Sequence, residues 1–177
     1  MNWPSQSTRV SVVDINSFEF EKTITVSLNP NYIYSDSDGD VYVICMSDYS
    51  DEKSYIVQRI DAKTDEVKTV EGIKAYKMTV ADDIAYIMFN DYYANEVKYY
   101  KYDLKNEKLL SDNFITDGTV VSSPNGIGVD PVTGDIYVGK SNKKNNGDVY
   151  VFSSEGKLKS QFETLPYPAD FVFMTNK

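Results

Sequence analysis

Apolar and polar residues alternate along most of the chain. The alternation is clear in the runs Arg9-Val-Ser-Val-Val-Asp-Ile, Asp40-Val-Tyr-Val-Ile and Asp148-Val-Tyr-Val-Phe. No stretch of about 12 or more residues keeps the 3.6-residue apolar period of a helix. Because successive side chains of a strand point to opposite faces, this pattern predicts short, half-buried β-strands. The chain is therefore predicted to be all-β.

The strand pattern repeats with three landmarks in a fixed order. A proline-type turn opens a short strand, an acidic turn precedes an apolar strand, and a third strand ends in a small acidic or polar turn. The landmarks recur at intervals of about 40–50 residues, which is typical of propellers and solenoids. The turn that ends the third strand recurs at Asp14, Asp61, Asp103 and Ser153.

Four short strands in each period predict a β-propeller of four-stranded antiparallel blades, with strands a to d counted from the axis outwards. Since closed rings have about 4–8 blades, residues 1–177 are predicted to form a single domain that holds about 3.5–4 blades of a larger, seven-bladed ring. A four-bladed ring with one defective blade is the alternative. The predicted blades are residues 9–26 (partial), 30–70, 75–115, 124–163 and 168–174 (partial).

Composition removes many function classes. The 177 residues include no histidine, so a Ser-His-Asp triad and a histidine-ligated metal are excluded. A single cysteine, Cys45, excludes an internal disulfide and a cysteine zinc site. A net charge of −9 argues against nucleic-acid binding. No apolar run reaches the roughly 20 residues that span a bilayer, and no signal-peptide pattern opens the chain.

The repeat resembles that of the YncE-like, or YVTN-repeat, propeller family. The resemblance rests on Asn29-Pro, on Gly39-Asp-Val-Tyr-Val and on the later run Val57-Gln-Arg-Ile-Asp-Ala-Lys-Thr. The last complete blade is the nearest copy, with Pro124-Asn-Gly-Ile-Gly-Val-Asp-Pro-Val-Thr-Gly-Asp-Ile-Tyr-Val followed by Gly147-Asp-Val-Tyr-Val-Phe. This blade is similar to those of surface-layer-protein-like lipoproteins of Bacteroidetes. The resemblance to the family extends over residues 9–174.

Within that group, the chain is similar to the C-terminal half of BtuG-type lipoproteins, seven-bladed propellers that capture vitamin B12 beside a TonB-dependent receptor. The resemblance implies a non-catalytic binding module without a cofactor, at the cell surface or in the periplasm, with its membrane anchor upstream of this sequence. It also implies a corrinoid-like ligand and an outer-membrane receptor as partners, and no direct membrane span. No corrinoid contact transfers residue by residue.

The candidate binding residues lie in the connections between strands b and c. In propellers these connections meet at the mouth of the channel, where most ligands bind. Aromatic tips flanked by amides suit a flat, partly apolar ligand with a polar rim, such as a corrinoid or a sugar. The alternative is that these residues only cap tight turns, and that the lysines are solvated. The candidates are Tyr49, Tyr92, Tyr93, Asn142 and Lys143.

Two acidic groups invite other interpretations. Asp36, Asp38 and Asp40 alternate as in a calcium loop, but an EF-hand needs glycine at position six and glutamate at position twelve, so the a–b turn is the better interpretation. Asp82 and Asp83 could act as an acid–base pair, although their place in the repeat favours a hairpin turn.

Two other function classes stay open. Propellers also include lactonases and quinoprotein dehydrogenases, and a calcium-dependent lactonase is the enzymatic alternative. A protein–protein scaffold at the cell surface is the third hypothesis. Cys45 follows Val41 and Val43 on one face of strand b, so it is predicted to pack as a small hydrophobic residue.

Overall fold

The fold consists of antiparallel β-sheets. A computed structural model describes residues 7–47, 55–91, 96–142 and 144–174. The strands in these ranges form one two-stranded and three four-stranded sheets, each in sequential strand order. We number these sheets first to fourth along the chain. The all-β prediction and the four-stranded antiparallel repeat are confirmed.

The chain divides after Ala75 into two compact units. Unit 1, Met1–Ala75, contains the first sheet (β1–β2) and the second sheet (β3–β6). Its core joins Val26 to Val43, Cys45 and Ile60 of the second sheet, with Val10 and Ile24 of the first sheet packed against them. The strands are β1 (Arg9–Val13), β2 (Phe20–Thr25), β3 (Pro30–Ser35), β4 (Val41–Cys45), β5 (Ile56–Ile60) and β6 (Val67–Lys74).

Unit 2, Tyr76–Lys177, contains the third sheet (β7–β10) and the fourth sheet (β11–β14). Aromatic residues dominate its core, where Phe114 packs edge-on against Tyr86 and Tyr99 at 5.6 and 5.4 Å between ring centroids. The strands are β7 (Lys77–Ala81), β8 (Ile84–Asp91), β9 (Glu96–Asp103), β10 (Lys108–Ser111), β11 (Pro124–Val129), β12 (Ile136–Asn142), β13 (Asn145–Phe152) and β14 (Leu158–Thr164).

Aspartates close the tight turns that join the strands. Asp14 Oδ1 accepts the backbone N–H of Asn16 at 2.9 Å and that of Ser17 at 2.7 Å. Asp61 Oδ1 accepts those of Lys63 and Thr64 in the same way, at 3.0 and 2.9 Å. An aspartate oxygen that replaces a backbone acceptor fixes such a turn without a long loop. The turn landmarks at Asp14 and Asp61 therefore have the same physical cause.

These turns make the folded protein sensitive to acid. Hydrogen bonds from Ser17 lower the pKa of Asp14, and hydrogen bonds from Thr64 lower the pKa of Asp61 below the usual 3.8. A folded-state pKa below the unfolded value means that the stabilisation is complete above about pH 4 and is lost as the pH falls through the folded-state pKa. We expect the urea midpoint to fall as the pH is lowered below about 4.

An Asp14→Asn and Asp61→Asn double variant checks this expectation. The amide keeps an acceptor oxygen in each turn but does not titrate. The decline of its urea midpoint over the same pH interval should be shallower than that of the wild type. Parallel declines would show that these two turns do not contribute to the acid sensitivity.

The segment 168–174, predicted as the innermost strand of a further blade, packs on the face of the fourth sheet and pairs with no strand among the described residues. A Cβ atom on Gly126 would stand 2.4 Å from the carbonyl oxygen of Ala169, and one on Gly139 would stand 2.4 Å from that of Pro168. Because the Cβ atoms of a strand point out of the sheet, these contacts are with a face rather than with a hydrogen-bonding edge.

Cys45 is buried, as the sequence predicts. Its side chain lies in the unit 1 core with Val43 and Ile60 and is fully shielded from solvent. Burial raises the pKa of its thiol to about 11, although a hydrogen bond from the Ser27 backbone opposes the shift. The thiol is therefore inert in the folded protein.

Candidate functional site

Asn142 is the predicted binding residue that the structure describes. Its Nδ2 donates hydrogen bonds to the carbonyl oxygen of Asn146 at 2.8 Å and to Asp148 Oδ2 at 3.1 Å. The side-chain NH₂ group thus holds the hairpin between β12 and β13. Tyr49, Tyr92, Tyr93 and Lys143 lie outside the described residues.

Asp148 is the centre of a polar group at this end of the fourth sheet. Besides Asn142, it contacts Gln161 Nε2 at 3.4 Å and Lys140 Nζ at 4.0 Å. Lys140 and Asp148 are directly opposite each other on β12 and β13. Since the members are on paired strands and bond to one another, their positions are fixed by the sheet.

The b–c ends of the third and fourth sheets lie together. Asn90, near the end of β8, donates from Nδ2 to the carbonyl oxygen of Pro124 at 3.2 Å. Pro124 opens β11 and is paired with Lys140 of β12. The connection that contains Tyr92 and Tyr93 and the one that contains Lys143 therefore start from neighbouring strand ends.

A buried lysine at this end was not among the candidates. Lys77 opens β7, its side chain is only 7% exposed, and its Nζ donates to the carbonyl oxygen of Ala169 at 2.7 Å. It also forms an ion pair with Asp170. A buried ammonium group requires such partners, because an unpaired charge is costly in a poorly hydrated site. The sequence signal is a lysine in the otherwise apolar start of a strand.

Asn125 extends this group along the innermost strands. Its Nδ2 donates to the carbonyl oxygen of Pro168 at 3.3 Å. Lys77 and Asn125 thus hold two successive carbonyl groups of the terminal segment, at Pro168 and Ala169. The carboxylate of Asp170 is 76% exposed and offers a hydrogen-bond acceptor at this end of unit 2.

Unit 1 contains a cleft of about 490 Å³ that no pattern in the sequence indicates. Its walls are apolar and come from both sheets, and its rim is charged. Lys22 and Asp65 form an ion pair across the rim, with Nζ and Oδ2 2.6 Å apart. The apolar walls are made by Val10, Val12, Ile24, Ile33, Val41 and Ile60.

The acidic turns are occupied by internal hydrogen bonds. Asp36 Oδ1 accepts the backbone N–H of Asp38 at 3.0 Å and that of Asp40 at 2.9 Å, while Asp40 pairs with Arg59. Asp82 and Asp83 form the hairpin turn between β7 and β8, both with positive φ. Within residues 7–47, 55–91, 96–142 and 144–174, no three Asp, Glu or Cys side chains come together as metal ligands would.

Twisted four-stranded antiparallel sheets in sequential order are the blades of a β-propeller, and the chain belongs to this fold class. Solved propellers of low sequence identity share the fold. The chain is similar to the Dos1 propeller, with 12% identity and a TM-score of 0.64 over 92% of this chain and 44% of that chain. It is also similar to the β-propeller domain of the trilobed protease from Pyrococcus furiosus, with 11% identity and a TM-score of 0.52 over 76% of this chain and 43% of that chain.

A third similar structure is the hydrazine synthase of Kuenenia stuttgartiensis, with 15% identity and a TM-score of 0.62 over 83% of this chain and 45% of that chain. The chain therefore spans less than half the length of these three structures. No family model matches it, and no curated protein sequence is significantly similar to it. Among the described residues there is no helix long and apolar enough to cross a bilayer.

Proposed function

We propose that the chain is a non-catalytic, extracytoplasmic binding module that captures a small ligand at the b–c ends of unit 2. A corrinoid is the specific ligand of this proposal. The observation that carries it is the junction between Asn90 and Pro124, which brings the b–c ends of two blades together. The corrinoid and the extracytoplasmic location rest on the resemblance to BtuG-type lipoproteins, as does an outer-membrane receptor as partner.

The polar groups at this junction suit the rim of such a ligand. Asn90 and Asn142 lie on strands and are held by hydrogen bonds to backbone carbonyl groups. Polar groups fixed in this way bind without losing side-chain freedom on association. Tyr92 and Tyr93, in the connection that follows Asn90, would supply the flat apolar contact.

Titration with cyanocobalamin, followed by its visible absorbance, tests the proposal. We expect a saturable spectral change with the full chain. The Tyr92→Ala and Tyr93→Ala double variant should weaken binding at least tenfold. Aromatic side chains at binding hot spots commonly contribute about 2–4 kcal/mol, and about 1.4 kcal/mol corresponds to a tenfold change in affinity. Asn142→Ala should weaken binding by a smaller factor, because it loosens the hairpin next to the ligand.

Asn106→Ala is the matched control for Asn142→Ala. Asn106 also donates from Nδ2 to an aspartate, Asp103, at 2.8 Å, but it lies in the c–d turn at the other end of the third sheet. The affinity of the Asn106→Ala variant for cyanocobalamin should equal that of the wild type. Absence of a spectral change at saturating cyanocobalamin would remove the corrinoid, and equal losses for Asn106→Ala and Asn142→Ala would remove the b–c end as the site.

A further inference from the structure

The dipeptide Asn-Gly occurs twice in the chain, at Asn125-Gly126 and at Asn146-Gly147. In such a pair the glycine nitrogen can attack the side-chain carbonyl carbon of the asparagine, because glycine has no Cβ atom to hinder the approach and adopts backbone conformations that other residues avoid. The attack closes a succinimide ring and releases ammonia, and water then opens the ring to an acid. Both sites have the same chemistry, so their surroundings decide which of them reacts.

Asn125-Gly126 lies in a packed part of unit 2. Asn125 is half-buried on β11, and its Nδ2 donates to the carbonyl oxygen of Pro168 at 3.3 Å. Gly126 is buried, and a Cβ atom on it would stand 2.4 Å from the carbonyl oxygen of Ala169. The backbone rotation that brings the Gly126 nitrogen to the Asn125 side chain is therefore opposed by the neighbouring segment.

Asn146-Gly147 lies at the end of a hairpin instead. Asn146 is exposed and is the second residue of β13. Gly147 is buried beside Pro168, but its N–H donates to the carbonyl oxygen of Leu165 at 3.4 Å, which is longer than the usual distance of about 2.9–3.0 Å. The end of a hairpin opens more readily than the centre of a sheet, and the opening frees the Gly147 nitrogen.

We propose that Asn146 is a site of spontaneous deamidation and that Asn125 is protected from the same reaction. The Gly147 nitrogen loses its proton and forms a bond to Cγ of Asn146, while Nδ2 leaves as ammonia. One water molecule then opens the ring. Its addition at Cγ gives aspartate, and its addition at the backbone carbonyl carbon of position 146 gives isoaspartate. In sum, an asparagine and a water molecule become a carboxylic acid and ammonia.

The acid produced at position 146 does not fit the contacts of the asparagine. Nδ2 of Asn146 donates to Oε1 of Glu163 on β14 at 2.8 Å. A carboxylate in its place has no N–H to donate and repels Glu163. The carbonyl oxygen of Asn146 also accepts Nδ2 of Asn142 at 2.8 Å, so a displacement of position 146 loosens the hairpin that contains Asn142.

Peptide mapping by mass spectrometry tests the proposal. The full chain is incubated in mildly alkaline buffer, and the conversion of each asparagine to an acid is followed with time. In the folded chain, Asn146 should convert at least tenfold faster than Asn125. In guanidinium chloride the two rates should be similar, because the unfolded chain leaves both Asn-Gly sites open.

Two results would overturn the proposal. One is a folded chain in which Asn125 converts as fast as Asn146. The other is a folded chain that has no acid at position 146 after the time in which the unfolded chain has converted completely.

The Asn146→Asp variant measures the consequence for the hairpin. Protection of the Gly147 amide against hydrogen exchange should fall at least threefold. Adding Glu163→Gln should restore it, because the glutamine Nε2 can donate to the new carboxylate. Asn106→Asp is the matched control, since Nδ2 of Asn106 also donates to a carboxylate, that of Asp103 at 2.8 Å, but in a turn of the third sheet. It should leave the Gly147 amide unchanged, and an equally unchanged amide in Asn146→Asp would overturn the effect on the hairpin.

Deamidation should also weaken ligand binding, because the loosened hairpin contains Asn142; this expectation rests on the proposed function. The Asn146→Asp variant should therefore bind cyanocobalamin more weakly than the wild type. The mass measurement needs no ligand. Conversion at Asn146 in a chain that binds no cyanocobalamin would remove the proposed function and support the modification site, whereas binding of cyanocobalamin by a chain that does not convert would do the reverse.

Discussion

Phe152→Ala is expected to lower the free energy of unfolding of unit 2 by about 3–5 kcal/mol. The Phe152 side chain is fully buried at the end of β13, opposite Ile136, and belongs to the core that joins the third and fourth sheets. Its removal loses apolar burial and leaves a cavity that strands on both sides keep open. Urea unfolding followed by near-UV circular dichroism of the tyrosines measures the change.

Phe162→Ala is the control for this substitution. Phe162 lies on β14 of the same sheet, but it is 50% exposed. Its replacement should cost about 1 kcal/mol or less, because little apolar surface returns to water. Similar midpoint shifts for the two variants would mean that the core between the two sheets does not determine the stability of unit 2.

Gly156→Ala is expected to destabilise unit 2 by about 3 kcal/mol through two separate effects. Gly156 has a φ of +80°, in the left-handed region that a residue with a Cβ atom avoids. That Cβ atom would also stand 1.7 Å from the carbonyl oxygen of Phe114. Because the clashing atom belongs to the backbone, no side-chain rotation relieves the contact. The two segments are also held together, since Thr116 N–H donates to the Gly156 carbonyl at 2.9 Å.

Gly118→Ala separates the two effects. Gly118 has nearly the same φ, +81°, but no atom lies within 4 Å of the position of its Cβ. The Gly118→Ala substitution should lower the free energy of unfolding only by the backbone strain, about 1–2 kcal/mol. The difference between the urea midpoints of the two variants measures the contact with Phe114. Equal losses would show that the segment at Phe114 moves away freely.

The strands and their turns follow from local signals, which is why the sequence predicts them well. Alternation along Val41–Cys45 and the aspartates at 14 and 61 act over a few residues, and the structure has the strands and turns where these signals lie. Repetition of the same signals then predicts the four-stranded sheets. The number of blades in a complete ring stays a prediction, because no local signal encodes it.

The functional geometry depends on contacts that are distant in sequence. Nothing near Lys77 indicates that it pairs with Asp170, 93 positions later. The walls of the unit 1 cleft come from both the first and the second sheet, so they depend on how two sheets pack and not on a local pattern. Among the predicted binding residues, Asn142 holds its own hairpin by a hydrogen bond to Asn146, which agrees with the alternative that such residues cap tight turns.

The glycines of the fourth sheet have a consequence for how the repeats are ordered. Gly126, Gly128, Gly139 and Gly147 leave a strip of bare backbone, whereas the third sheet contains no glycine. The chain from Pro168 to Phe171 packs against that strip so closely that a Cβ atom on any of these glycines would clash with it. Blades with the same strand pattern therefore differ in the face that they present to the next segment of the chain. A copy of the third blade in the place of the fourth would keep its hairpins but would present side chains where the segment from Pro168 to Phe171 packs, so we expect the last blade to tolerate repeat exchange poorly.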